Sequence, residues 1–319
     1  MLLYNLGLFI VFIVLLAVSA TFCVKSLSII SRFLRFSEFI IGFVIMGFLT
    51  SLPELFVGIN SALDGIPNLS LGNVIGSVIV NLTLIAGIVT LFARNINTQK
   101  RIIKKDALKL VFFAIAPVIL MFIGNRISRI DGIILLGLFF YHAYTTYKAK
   151  SEYKAAVENH ISRGEGIANT FLFIFSIVLL YYSAKQAVSY GSLFAAEAGL
   201  PLLFIGLFFV AIGTSLPELV FGIIAAKSGH PIMSLGDLLG ASIINLTLVI
   251  GVTALIHPIT TVRTLFFTSA IFMILATFIF STFVESGNRI DWKEGIALIF
   301  LYVFFLIVEL SISGHIGFA

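Results

Sequence analysis

Thr50-Ser51-Leu52-Pro53-Glu54 and Thr214-Ser215-Leu216-Pro217-Glu218 are the same five residues placed 164 positions apart, each inside a long apolar run. The same shift brings Ser70-Leu71-Gly72 onto Ser234-Leu235-Gly236, Gly76 onto Gly240, and Asn81-Leu82-Thr83-Leu84 onto Asn245-Leu246-Thr247-Leu248. A shift of 163 pairs Gly124-Asn125-Arg126-Ile127 with Gly287-Asn288-Arg289-Ile290, and Gly132-Ile133 with Gly295-Ile296. Self-similarity of this kind marks one structural unit used twice.

The 319 residues around these blocks are 60% hydrophobic and 11% charged, which leaves too little polar side chain to cover a water-exposed surface. The apolar residues fall into runs of about 17 to 25, the length a helix needs to cross about 30 Å of hydrocarbon. Ten spans are expected, at 7–24, 38–63, 69–92, 108–123, 131–147, 167–189, 200–226, 232–256, 265–284 and 295–312. No 10-residue alternating segments occur, which excludes an outer-membrane barrel. The expected fold is an all-α membrane protein with ten transmembrane helices in two inverted five-helix repeats. Residues 1–147 form the first repeat, 148–166 a cytoplasmic linker loop, and 167–319 the second repeat. Five is odd, so the second unit enters the membrane from the opposite side. That is an architecture of secondary transporters, whose central site faces each side in turn.

The net charge of +5 acquires its meaning from where the charges sit. With the N-terminus outside, the cytoplasmic loops hold sixteen of the twenty Lys and Arg residues, and only Arg126, Arg129, Lys185 and Arg263 lie outside. The positive-inside rule therefore predicts both termini extracytoplasmic, in a multi-pass protein of the plasma membrane. The basic excess is thereby a topology signal and leaves nucleic acid no claim. No Lys or Arg precedes Lys25, and Phe22 is too large for a lipoprotein cleavage site before Cys23, so an uncleaved first helix is expected. One cysteine excludes a disulfide framework or a cysteine metal cluster.

Glu54 and Glu218 lie well inside apolar runs, where an isolated carboxylate costs several kcal/mol and needs a partner. No Lys, Arg or His is expected at matching depth, so a bound cation is the natural counter-charge. Pro53 and Pro217 each remove a backbone donor and free carbonyls near Leu49 and Thr50, and near Gly213 and Thr214. Such carbonyls at membrane depth are tolerable where something binds them. Thr50 and Glu54 are four apart and share a helix face. In the next span Asn73, Ser77 and Asn81 form one stripe, matched by Asp237, Ala241 and Asn245; such small polar residues serve helix packing or ligation. All of these donors are hard oxygens. None of His142, His160, His230, His257 or His315 falls in the repeated motifs, which disfavours zinc, copper and nickel. Two carboxylates balance one divalent ion, and a flexible cage of many oxygens suits calcium better than magnesium.

These blocks resemble the two alpha-repeats of the sodium/calcium exchanger family, within the calcium/cation antiporter superfamily, over nearly the whole chain. Gly213-Thr214-Ser215-Leu216-Pro217-Glu218 matches the family signature closely, whereas the first block has Leu49 where the family usually has glycine. The resemblance implies that Glu54 and Glu218 bind calcium. It also implies that Thr50, Ser51, Ser77, Asn81, Thr214, Ser215 and Asn245 complete the calcium and sodium sites, with the backbone carbonyls of Gly47 and Ala211. It implies ten helices, the first of each half sliding past a fixed core. Asn245 stands where many microbial and potassium-dependent members have aspartate, which resembles the potassium-independent branch and leaves two central carboxylates. Ala241 stands where the family has a serine ligand, with Ser242 one position later. Asp237 is expected near the cytoplasmic end of its span, attracting cations to the inner mouth or capping the helix.

The leading expectation is a secondary antiporter exchanging Na+ for Ca2+ by alternating access, electrogenic and independent of K+. It is expected to be no enzyme, to need no cofactor, and to work as a monomer in the lipid bilayer. The runner-up is a proton/calcium exchanger with Glu54 and Glu218 carrying protons. A cation channel with a glutamate-pair filter stands behind it. A membrane-embedded hydrolase would need a histidine or metal set near the glutamates that the sequence does not offer.

Overall fold

The computed structural model describes residues 1–33, 46–99, 101–149, 162–261 and 263–316. Residues 38–45 of the second expected span, linker residues 150–161, and Arg35, Lys100, Lys150, Lys154 and His160 lie outside them. The described chain forms ten helical rods. In the first half these are α1 (Leu2–Phe33), α2 (Met46–Thr50, then Leu52–Leu63), α3 (Pro67–Val80 through Ala86–Ala93), α4 (Arg101–Gly124) and α5 (Arg129–Ala149). In the second they are α6 (Arg163–Ala198), α7 (Leu202–Ile205 through Ala211–Thr214, then Leu216–Lys227), α8 (Pro231–Ile244 through Ile250–Ile256), α9 (Arg263–Ser286) and α10 (Trp292–Ile316). Eight of the described helical rods are long and apolar enough to cross a bilayer. The other two rods are α2, interrupted at Ser51, and α5, whose last turns carry His142, Thr145, Thr146 and Lys148.

The duplication is written into the backbone. Gly65 and Gly229 both adopt positive φ, 74° and 79°, and each precedes a helix that opens on proline, Pro67 or Pro231. Glycine reaches that left-handed turn without strain, and proline at the first helical position sacrifices no bonded N–H. Asn125 and Asn288, equivalent under the 163-residue shift, share φ values of 54° and 55°. Asn81–Ile85 in α3 and Asn245–Val249 in α8 both widen into a π-helical turn. The Asn-Leu-Thr-Leu match therefore marks equal helix geometry as well as equal sequence.

Two short ties relate the halves. Strands β1 (Asn95–Asn97) and β2 (Arg289–Asp291) pair antiparallel with Ile96 opposite Ile290, and Ile127 bridges Ile259 in the same sense. Shifting by 163 turns the first tie into the second. Each tie joins two interhelical segments and so places them on one side of the membrane. Six rods separate β1 from β2 and four separate Ile127 from Ile259, both even numbers, as ten crossings require.

α3 and α8 form the enclosed centre, with α2 against α8 and α7 against α3. Glycine sets the second contact: a Cβ at Gly72 would meet the Leu203 carbonyl at 2.1 Å, and one at Gly206 the Leu69 carbonyl at 2.1 Å. Close backbone approach through small residues is how helices associate where the surrounding medium is as apolar as their side chains. α1 and α6 lie along each other outside this centre. The outward faces of α4, α5, α6 and α10 are bare hydrocarbon, with Phe122, Phe140, Phe171 and Phe300 all exposed, as a lipid-facing shell demands.

Several helices outrun their expected spans: α1 covers Leu2–Phe33 against 7–24, and α6 covers Arg163–Ala198 against 167–189. Apolar runs report hydrocarbon thickness, whereas the helices continue through polar residues beyond it. α6 opens with a capping box in which Ser162 accepts from the Glu165 amide at 3.2 Å and the Glu165 carboxylate accepts from the Ser162 amide at 3.1 Å. Helix therefore occupies both described ends of the 148–166 stretch, and the strand pair was not expected at all.

Candidate cation site

Both Thr-Ser-Leu-Pro-Glu blocks interrupt a helix at the serine. α2 stops at Thr50 and restarts at Leu52, and α7 stops at Thr214 and restarts at Leu216, with Ser51 at φ −81°, ψ −1° and Ser215 at φ −86°, ψ 1°. The prolines cannot donate back across the break. Each break puts a glutamate on the first turn of the second segment, where the helix dipole favours negative charge.

The two breaks meet the middle of α3 and α8. Ser77 Oγ donates to Glu54 Oε1 at 3.2 Å and lies 3.3 Å from Thr214 Oγ1 and 3.4 Å from Asn73 Oδ1. Thr214 Oγ1 donates to Asn73 Oδ1 at 3.0 Å, and Thr50 Oγ1 donates to Asp237 Oδ1 at 3.1 Å. Asn73 and Asp237 are equivalent under the 164-residue shift, so each half presents the same threonine-to-α3/α8 bond to the other. Thr50 is a polar neighbour of Glu218, and Thr214 and Asn245 are polar neighbours of Glu54. Ser51 Oγ donates to the Gly47 carbonyl at 2.9 Å and the Ala241 carbonyl at 3.4 Å, and Thr214 Oγ1 approaches the Ala211 carbonyl at 3.3 Å. The Gly47 and Ala211 carbonyls are thus the acceptors beside the breaks, each with a second lone pair to offer.

All the side chains singled out from the sequence are shut away from solvent, none more than 1% exposed: Thr50, Ser51, Glu54, Ser77, Asn81, Thr214, Ser215, Glu218 and Asn245. They are also short of partners. Glu54 Oε2, both Glu218 oxygens, both polar atoms of Asn81 and of Asn245, and Ser215 Oγ have no hydrogen-bond partner among the described residues. Buried polar atoms normally find one, so this concentration of unpartnered oxygens and amides suits a polar ligand. No Lys, Arg or His stands within ion-pair distance of these carboxylates among the described residues, where the one side-chain salt bridge joins Lys109 to Asp106 at 3.1 Å.

Two expectations are overturned. Asp237 is neither at the inner mouth nor a helix cap: it is fully buried, bonded to Thr50, with Oδ2 unpartnered. Depth counted from the polar edge of a span misplaces it, because α2 packs on α8 from Asp237 to Ala241. The centre consequently contains three carboxylates, Glu54, Glu218 and Asp237, rather than two. The halves also differ where Ala241 replaces the serine: Ser77 donates to Glu54, and its equivalent offers Glu218 no hydroxyl. Sequence reading missed two other buried carboxylates. Asp106 pairs with Lys109, and Glu309 accepts from Ser269 at 2.8 Å. Neither lies in a repeated block, although Glu309 falls within the expected span 295–312, where its carboxylate was the available signal.

The sodium/calcium exchanger protein family model matches residues 4–148 and 168–310. The chain is 29% identical to the sodium/calcium exchanger MaX1 of Methanosarcina acetivorans, across 93% of this chain and 95% of that protein. It is 28% identical to the inner membrane protein YrbG of Escherichia coli, across 79% and 80% respectively. Among solved structures it resembles the sodium-calcium exchanger NCX_Mj soaked with 2.5 mM Na+ and 0.1 mM Ca2+. There the TM-score is 0.68 and the identity 26%, over 96% of this chain and 99% of that one. The same protein soaked with 100 mM Na+ and 10 mM Sr2+ gives a TM-score of 0.69. The broken helices, the buried oxygens and these likenesses agree: the chain is a membrane protein of the sodium/calcium exchanger family, whose members are transporters and not enzymes.

Proposed function

We propose that the chain exchanges Na+ for Ca2+ across the plasma membrane by alternating access, as a monomer in the bilayer with both termini outside. The observation that carries this reading is the pair Glu54 and Glu218, fully buried at two symmetry-related helix breaks, with three of their four carboxylate oxygens unpartnered. A calcium ion between them satisfies both charges. Ser77, Thr50, Thr214, Asn81, Asn245, Ser51, Ser215 and the Gly47 and Ala211 carbonyls supply further oxygens for calcium and for the sodium ions that replace it. The site is closed to solvent, so ions enter only when helices move. Movement of α1 and α6 along the centre is the simplest route, because they pack outside it on each other. Three Na+ against one Ca2+ moves one charge, worth about 2.3 kcal/mol per 100 mV, which drives calcium outward in a polarised cell. Likeness to NCX_Mj, studied with Na+, Ca2+ and Sr2+, supports the choice of ions.

Proton/calcium exchange is the second reading, favoured by one feature: Ala241 leaves Glu218 without the hydroxyl that Ser77 gives Glu54. The two separate in everted membrane vesicles. Calcium-45 uptake is expected to follow an imposed Na+ gradient at fixed pH and clamped voltage. Uptake that follows only a pH gradient establishes the second reading instead.

A further inference from the structure

Glu54 and Glu218 suffice to neutralise one calcium ion, which leaves the third carboxylate unexplained. Asp237 is fully buried in α8, accepts the Thr50 hydroxyl at 3.1 Å through Oδ1, and has no partner for Oδ2. Its equivalent in α3 is Asn73, which accepts the Thr214 hydroxyl at 3.0 Å in the same way. The two positions do the same geometric work, and only one can ionise. Among the described residues no three Asp, Glu, His or Cys side chains are grouped to hold one metal ion. A calcium ion seated on the two glutamates is already balanced in charge, so the Asp237 carboxylate is left over.

We infer that Asp237 fixes which half of the exchange cycle carries charge. The inference rests on the proposed Na+/Ca2+ antiport. With all three carboxylates ionised in the ion-loaded site, three sodium ions make it neutral, whereas one calcium ion leaves it at −1. As access switches from one side to the other, the site and its ions pass together from one potential to the other. The calcium step then moves one negative charge and the sodium step moves none. Asp237→Asn reverses the pattern: the calcium-loaded site becomes neutral and the sodium-loaded site +1. Asn at this position is compatible with the packing, since Asn73 already makes the equivalent bond.

The test uses purified full-length protein in proteoliposomes with voltage set by valinomycin and K+. Calcium-45/calcium self-exchange and sodium-22/sodium self-exchange are measured at 0 and −100 mV. In the wild type, calcium self-exchange is expected to change severalfold with voltage, against a ceiling of about 50-fold for one full charge, and sodium self-exchange to stay flat. Asp237→Asn is expected to exchange these behaviours. The double variant Asn73→Asp/Asp237→Asn, which moves the charge to the other half, is expected to restore the wild-type pattern. Flat calcium self-exchange in the wild type overturns the inference, as does an Asp237→Asn protein with an unaltered pattern. Calcium-45 binding to Glu54→Gln tells the two failures apart. Undiminished binding sinks the antiport site itself, whereas lost binding with an unaltered Asp237→Asn pattern sinks only the role of Asp237.

Discussion

A carboxylate in hydrocarbon without a cationic neighbour is legible in any sequence, and Glu54 and Glu218 stand out for that reason. Removing either charge takes away a charge-assisted ligand worth about 1.5–3 kcal/mol, so Glu54→Gln or Glu218→Gln should weaken calcium binding by at least tenfold to a hundredfold. Flux should be lost with the gel-filtration profile unchanged, and near-normal calcium-45 uptake in either variant would contradict the assignment. Ser77→Ala removes one neutral hydroxyl that serves Glu54 and Thr214. Its cost should be nearer 1 kcal/mol, a roughly fivefold loss of apparent calcium affinity in the same assay. Asp237 was the residue that sequence placed wrongly. Distance from a polar edge tells how far along a helix a residue lies, and says nothing of which neighbour covers it. The Thr50–Asp237 bond crosses 187 positions, and no local pattern encodes such a meeting. Asn73 and Asp237 were both in view as members of the matched α3 and α8 stripes, and what the sequence misjudged was the depth of Asp237.

Among the elements, the broken helices follow from proline chemistry and the spans from hydropathy, so both were readable. The π-helical turns at Asn81–Ile85 and Asn245–Val249 were not, because their residues form equally good α-helix on propensity. Their duplication was visible only as repeated letters. The strand pair escaped for a different reason: three-residue strands between helices carry no usable alternation. Close packing of α3 on α7 is predicted to be the least forgiving contact. Gly206→Val places a Cβ 2.1 Å from a backbone oxygen and should destabilise the fold by about 1–3 kcal/mol or more. Gly137→Val, with nothing within 4 Å of its Cβ, should leave the melting temperature in detergent close to wild type. Equal melting temperatures for the two variants would show that the α3/α7 approach is looser than described.

For the whole molecule, the inverted repeat was legible from two sequence offsets, and the ties Ile96–Ile290 and Ile127–Ile259 express it in three dimensions. Orientation in the membrane rests on charge asymmetry alone, and it is open to direct test. In a Cys23→Ala background, Thr260→Cys should react with a membrane-impermeant maleimide added to intact cells, whereas Gln99→Cys should react only after permeabilisation. Both positions are exposed, so a reversed labelling pattern would invert the proposed topology and the direction of calcium movement with it.

Anomalous diffraction from crystals soaked with Sr2+ in place of Ca2+ tests the central claim most directly. The expected result is one strong peak between the carboxylates of Glu54 and Glu218, displaced when Na+ is raised. Carboxylates turned apart, or bonded only to protein while strontium binds elsewhere or not at all, would contradict it.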